Sequence, residues 1–355
     1  MGMEIFFRAL LPLLALLVGW MTPLAARAAP DPNVLRVLAW PGYADPDLIR
    51  TFEQRRGVRV ELTLVASDEI LWQKISANQG ADFDVFAVNT AELQRYIDRG
   101  LVQPVDADVI ANTRRQLPRF RDLAAIPGLT RQGKAYGIPY TYSDMGLIYD
   151  RTQFAEPPVS IAALWDPRLR GRVLAYDGGS HNFSLAALAL DDATPFRIEA
   201  ADWPRAVERL IALRRNVLGF YAQPDEAVKL FLRHRPALLF ANFGTQQVQL
   251  LKAAGADVGY VIPREGALAW LDCWVIARGA TSRALAHAWI DYMLEPRASD
   301  LLVSRQGLAN TVADSPDRRA GDRLLWLEPA EDVARRERLW GRIVSGDRAS
   351  RVLAP

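Results

Sequence analysis

Residues 34–100 alternate short apolar runs with amphipathic stretches bounded by helix start and stop signals, and few folds accommodate that rhythm. Val34-Leu-Arg-Val-Leu-Ala39 reads as a strand. After the loop Trp40-Pro-Gly-Tyr43 a helix follows, with Asp45 as N-cap, Pro46 in its first position and Gly57 past its end. Val58 to Val65 is the next strand. Ser67 then caps a helix running to about Asn78, Phe83 to Val88 is a third strand, and a third helix, with Thr90 as its expected cap, stops at Gly100. This β-α-β-α-β-α order demands a parallel sheet covered on both faces.

The alternation breaks and then restarts. Leu101 to Leu129 is rich in Asp, Arg and Pro and reads as an external helical excursion with a solvated surface. Two strand-like segments surround Ser143-Asp144. A second series follows: a short helix at Ser160 to Trp165, a strand ending at Tyr176, helices at Asn182 to Leu190, Trp203 to Arg214 and Glu226 to Arg233, a strand at Ala237 to Asn242, a helix from Gln246 and a strand at Val258 to Ile262. No Gly/Ser- or Pro-rich linker separates the two series, so strands are expected to cross directly between two lobes, the Trp270 segment among them. The expected fold is α/β and two-lobed, each lobe a mostly parallel sheet flanked by helices. Lobe 1 comprises residues 34–139 with 273–310, and lobe 2 comprises 140–272 with 311–355, where Glu328 to Trp340 is expected to form a helix packed on lobe 2.

Residues 1–28 read as an export signal: a short charged start, an apolar run from Ala9 to Leu24, and a small-residue cleavage pattern at Ala26 and Ala28. About 325 residues follow, more than one core usually holds. The formal charge is +2, of which Arg8, Arg27 and Glu4 contribute +1, leaving +1 for the exported chain. That balance argues against nucleic-acid binding. The one cysteine, Cys273, can form no internal disulfide.

Ligands of open α/β sheets bind outside the carboxyl ends of the strands, so the loops at Trp40 to Tyr43, Asn89-Thr90, Asp177 to Asn182 and Asn242 to Thr245 are expected to converge on one cleft. The apolar run Gly266 to Ala277 adds Trp270 and Asp272. On a strand these two point to the same face, setting an aromatic wall beside a carboxylate, a pairing suited to an organic cation. Alone it reads more readily as core packing beside a salt bridge. The candidate ligand-binding residues are Trp40, Tyr43, Asn89, Asp177, His181, Asn242, Trp270 and Asp272. Asp177-Gly-Gly-Ser-His181 reads either as an ordinary turn or as a helix start whose backbone N–H groups receive an anion or a carbonyl.

Catalytic signatures are missing. The chain has no Gly-x-Ser-x-Gly elbow, no complete phosphate loop and no His-Glu-x-x-His, and His181, His234 and His287 lack metal-ligand spacing. No catalytic residue, metal or cofactor is therefore expected. A secreted hydrolase or transferase on the same scaffold is a remote alternative.

Five segments together resemble the spermidine/putrescine-binding group of ABC-transporter substrate-binding proteins, which are two-lobed periplasmic binding proteins. They are Val37-Leu-Ala-Trp40 with Tyr43, Asp84-Val-Phe86, Ile138-Pro-Tyr140, Ala163-Leu-Trp-Asp-Pro-Arg-Leu-Arg-Gly171, and Pro263-Arg-Glu-Gly266 with Trp270-Leu-Asp272. The resemblance implies that Trp40 and Tyr43 line a polyamine cleft, and that Trp270 and Asp272 sandwich and neutralise an amine. It also shows departures: the family's second acidic cluster aligns with Gly178 and His181, and three of its aromatic ligand residues align with Ala91, Ala241 and Leu308. What it implies is a monomeric, non-catalytic periplasmic receptor that delivers putrescine or spermidine to a membrane permease. The alternative ligand is a monoamine or zwitterion, such as an amino acid derivative or aminophosphonate. Affinity for spermidine is expected to be below that for smaller amines, and protonation of His181 is expected to weaken cation binding at low pH.

Overall fold

The computed structural model describes residues 31–314 and 321–354, and the expected export signal, residues 1–28, lies outside them. Two sheets carry the fold. The larger has eight strands: Ala309–Asn310, Gly137–Met145, Ala267–Ala277, Val85–Asn89, Val34–Ala39 and Arg59–Leu64 in spatial order, with Val102–Gln103 and Leu324–Trp326 also paired to Ala267–Ala277. The smaller has five, in the order Gly219–Tyr221, Val173–Tyr176, Leu238–Phe240, Leu147–Asp150, Val258–Val261.

Strands joined through helices pair in parallel, as crossovers require: Val34–Ala39 with both of its neighbours, and Val173–Tyr176 with both of its own. Strands arriving from the other series run antiparallel, so each sheet is mixed. The chain changes sheets at Gly146 and returns within residues 262–266. These changeovers lie a few residues from the boundaries expected at 139/140 and 272/273, because residues 140–145 and 267–272 pair within the larger sheet. Ala267–Ala277 is buried along its whole length, so its apolar run carries no mark of where the neighbouring sheet ends.

Local chemistry sets the helices. Asp45 caps Pro46–Arg56 and Gly57 ends it at φ +65°, while Ser67 caps Asp68–Ala77. The cap of Thr90–Asp98 is Asn89 rather than Thr90: Asn89 keeps the extended backbone of its strand, and its side chain accepts the Glu92 N–H at 2.9 Å. The helix expected from Asn182 starts earlier, spanning Gly179–Leu188. The excursion 101–129 forms short helical turns, but Gln116, Phe120 and Leu129 are buried beneath its charged exterior.

The C-terminal helix is Val333–Val344, packed on Gly179–Leu188 and Trp203–Asn216. It starts later than expected because Pro329 disfavours helical backbone at Glu328, and Asp332 supplies the cap. Its Arg336 is fully buried, donating to Glu331, to Ser184 Oγ and to the carbonyls of Ser180 and Phe196.

Candidate ligand-binding site

Between the two sheets lies a cleft lined by loop ends from both. Its cavity volume is about 90 Å³, several times what one water needs. The first strand delivers Trp40 and Tyr43. Trp40-Pro-Gly-Tyr43 is a tight turn closed by the Tyr43 N–H donating to the Trp40 carbonyl, with Pro41 in the second position and Gly42 at φ +89° in the third, the geometry of a type II turn. Both aromatic residues therefore face the cleft from one turn. Tyr140 supports it from below, donating to the Tyr43 carbonyl at 2.9 Å.

The Trp270 strand supplies the opposing charge. Its pairing with Gly137–Met145 slips by one residue beside Asp272: Asp272 lies opposite Thr141 and Cys273 opposite Pro139, leaving Tyr140 as the extra residue. Pro139 has no N–H to give to the ladder, and bulges of this kind re-aim side chains beside functional sites. Asp272, 5% exposed, accepts a 2.7 Å hydrogen bond from the Tyr43 hydroxyl. Burial raises its pKa to about 7, against the opposing pull of that bond. Trp270 lies on the same face, and its indole N–H donates to the Asn242 carbonyl at 3.0 Å, joining the two sides of the cleft.

The structure brings seven of the eight expected residues to this cleft: Trp40, Tyr43, Asn89, His181, Asn242, Trp270 and Asp272. Asp177 is not among them. Its carboxylate accepts a 2.7 Å hydrogen bond from the Trp340 indole of the C-terminal helix, so it is turned away by a partner 163 residues downstream. The helix start beside it is also occupied. The Ser180 N–H donates to the Glu337 carboxylate at 3.0 Å, so an internal anion already sits where a ligand anion was considered. His181 lines the cleft against Tyr176, and burial with the nearby Arg336 charge lowers it to about 4, which keeps it neutral at ordinary pH.

Sequence reasoning missed Asp68, Tyr176, Gln223, Phe243 and Gln246, all of which line the cleft. Asp68 opens the second helix and accepts a hydrogen bond from Asn89 Nδ2 at 3.2 Å. Burial and the nearby carboxylates of Glu92 and Asp272 hold its pKa well above the usual carboxylate range. Gln223 Nε2 donates to the Ala66 carbonyl at 2.7 Å, a direct link from a smaller-sheet loop to a larger-sheet one. The lining contains no Lys or Arg. Two carboxylates and aromatic walls, with no Lys or Arg among them, can attract a small organic cation.

Residues 47–322 match the family model for bacterial extracellular solute-binding proteins. The chain belongs to that family. This solute-binding protein is 25% identical over 315 residues to the spermidine/putrescine-binding periplasmic protein of Escherichia coli K12, covering 87% of this chain and 84% of that one. Its fold is similar to that of the spermidine/putrescine ABC transporter substrate-binding protein of Streptococcus pneumoniae, with TM-score 0.66 and 22% identity over 84% of this chain and 93% of that one. It is also similar to a periplasmic binding protein of A. tumefaciens solved with glucopine, with TM-score 0.69 and 14% identity over 87% of this chain and 99% of that one. The fold is thus the α/β, two-lobed fold of periplasmic binding proteins, with the cleft between its lobes. Among the described residues no helix is long and apolar enough to cross a membrane, and no cluster of three or more metal-ligating side chains occurs.

Proposed function

We propose that this protein is the periplasmic receptor of an ABC importer, which closes two lobes around a small amine-bearing solute and hands it to a membrane permease. The observation that carries this reading is the pairing of Asp272 and Asp68 with Trp40, Tyr43, Tyr176 and Trp270 in a cleft lined by no Lys or Arg. An ammonium there meets a carboxylate in a water-poor site, and each aromatic face adds about 1–2 kcal/mol when desolvated. The names of the curated relatives point to polyamines, with putrescine the foremost candidate. The working lobes we assign start from the expected ones, 34–139 with 273–310 and 140–272 with 311–355, moved to the sheet changeovers at Gly146 and 262–266 and with Thr311 and Leu324–Trp326 transferred to lobe 1, whose sheet they join.

A second reading, a monoamine with an uncharged polar tail, is favoured by the far wall. Gln223, Gln246 and a neutral His181 present hydrogen-bonding groups but no carboxylate for a distant second ammonium. The filled start of helix Gly179–Leu188 speaks against a zwitterion, whose anionic end has no free backbone site there. A thermal-shift panel of putrescine, spermidine, monoamines and amino acids tests the proposal. Stabilisation by amines and not by acids is the expected result, and stabilisation by acids alone would reject it.

A further inference from the structure

Asp68 is the feature of the cleft that the chain's resemblances do not account for. It lies on the same wall as Asp272, linked to it through Asn89. The Asn89 amide donates to Asp68 Oδ1 at 3.2 Å, and Asn89 is the residue directly opposite Asp272 across the antiparallel ladder, so the two side chains share a face. Neither carboxylate has a Lys or Arg within ion-pairing distance among the described residues. The nearest guanidinium, Arg95, is engaged elsewhere: it pairs with Glu92 at 2.8 Å, lies over the Trp72 ring at 4.4 Å, and reaches only the backbone carbonyl of Asp68. Glu92 and Glu337 add further negative charge near Asp68.

One more unfilled group lies at the cleft. Asn242 is 6% exposed, lines the cavity from the opposite side, and its side-chain Oδ1 is buried without a hydrogen-bond partner. A buried acceptor left open is destabilising unless a ligand donor fills it. Two carboxylates and an amide oxygen match the three N–H donors of a primary ammonium. They do not match a quaternary ammonium, which has no N–H to offer.

Resting on the reading of the cleft as a cation site, we propose that Asp68 is a second counter-charge acting with Asp272 on one primary ammonium of the ligand. Both acids then serve one end of the solute, while its other end meets the neutral wall of Gln223, Gln246 and His181. The site thereby selects the donor count of the charged end, preferring a primary amine to its N-trimethylated counterpart.

The test is calorimetric titration of the purified full chain and its Asp68→Asn and Asp272→Asn variants at pH 8. The probes are putrescine, butylamine and butyltrimethylammonium. Asp68→Asn should weaken putrescine at least ten-fold and shrink the preference for butylamine over butyltrimethylammonium by a similar factor. A role confined to the helix start would leave that preference unchanged. Asp68→Ser, which keeps a small polar residue at the first helical position, guards against misfolding of the first variant, and unliganded thermal unfolding checks both. If Asp68→Asn binds putrescine as tightly as wild type while Asp272→Asn does not, the second counter-charge is refuted and the amine-receptor reading stands. If wild type binds none of the three probes, both fall together.

Discussion

The Tyr43 hydroxyl donates a 2.7 Å hydrogen bond to Asp272 Oδ2, joining the turn after the first strand to a strand 229 residues later. It fixes the carboxylate's orientation and favours its charged form. Tyr43→Phe removes the donor and keeps the ring. Bonds to charged groups contribute about 1.5–3 kcal/mol, so putrescine affinity should fall roughly ten- to hundred-fold in an equilibrium titration.

Asp272→Asn removes the charge and keeps the shape. Amine binding should weaken by about 3–5 kcal/mol, several hundred-fold or more, with the fold intact. The unliganded variant should behave oppositely. The folded value of Asp272, about 7, lies above the ordinary 3.8, so its contribution to stability is fully present below pH 4 and is lost as pH rises through 7. Unfolding of the empty protein at pH 8 should therefore show Asp272→Asn more stable than wild type, by up to about 4 kcal/mol.

Amine affinity should rise with pH between 6 and 8, since the empty cleft holds Asp272 partly protonated and the ammonium needs the anion. His181 takes no part in that profile. Held at about 4, it stays neutral across this range, so the weakening that its protonation is expected to bring at low pH lies below it. Titrations of His181→Gln at pH 6, 7 and 8 should reproduce the wild-type slope, and a flattened slope would show His181 to be the titrating group.

Gln223→Ala removes the direct link to the Ala66 carbonyl across the cleft mouth. A single neutral hydrogen bond contributes about 1 kcal/mol, so affinity should drop about five-fold. The loss should appear as faster ligand release in stopped-flow measurements, because the contact joins the two sides of the filled cleft.

Arg336→Ala strands the Glu331 carboxylate and removes donors from two buried carbonyls. Glu331 is exposed, so the loss is chiefly of the charge-assisted hydrogen bonds of buried Arg336, about 1.5–3 kcal/mol, to be read in denaturant unfolding. Arg336 lies outside the cleft lining, so binding by the folded fraction should change little.

How much of this was legible in the sequence depended on how local the cause was. The turn at Trp40 to Tyr43, the caps at Asp45 and Ser67 and the shared face of Trp270 and Asp272 follow from neighbours within a few residues. Asp68 was hidden because an acid in the first turn of a helix is ordinary, and nothing nearby announces that Asn89 will hold it beside Asp272. Asp177 misled for the converse reason: it follows a strand as a ligand residue should, but the Trp340 indole that claims it comes 163 residues later. The far wall escaped because Gln223, before the helix-starting Pro224, reads as a simple boundary residue.

Gly146 is the whole changeover between strand Gly137–Met145 and strand Leu147–Asp150. Its N–H is held by the Tyr260 hydroxyl at 2.9 Å, and a β-carbon there would lie 2.7 Å from the Val261 carbonyl, so the point is crowded as well as short. A joint of one residue stores almost no slack. Relative displacement of the sheets has to turn on this pivot, its counterpart at 262–266 and a third connection between Leu324–Trp326 and helix Val333–Val344, an arrangement that favours rotation over sliding. Seen from outside, such a molecule has few shapes to offer. In the receptor role proposed above, occupancy of the cleft is read by a docking partner as a change of angle between two surfaces, without any contact with the solute itself.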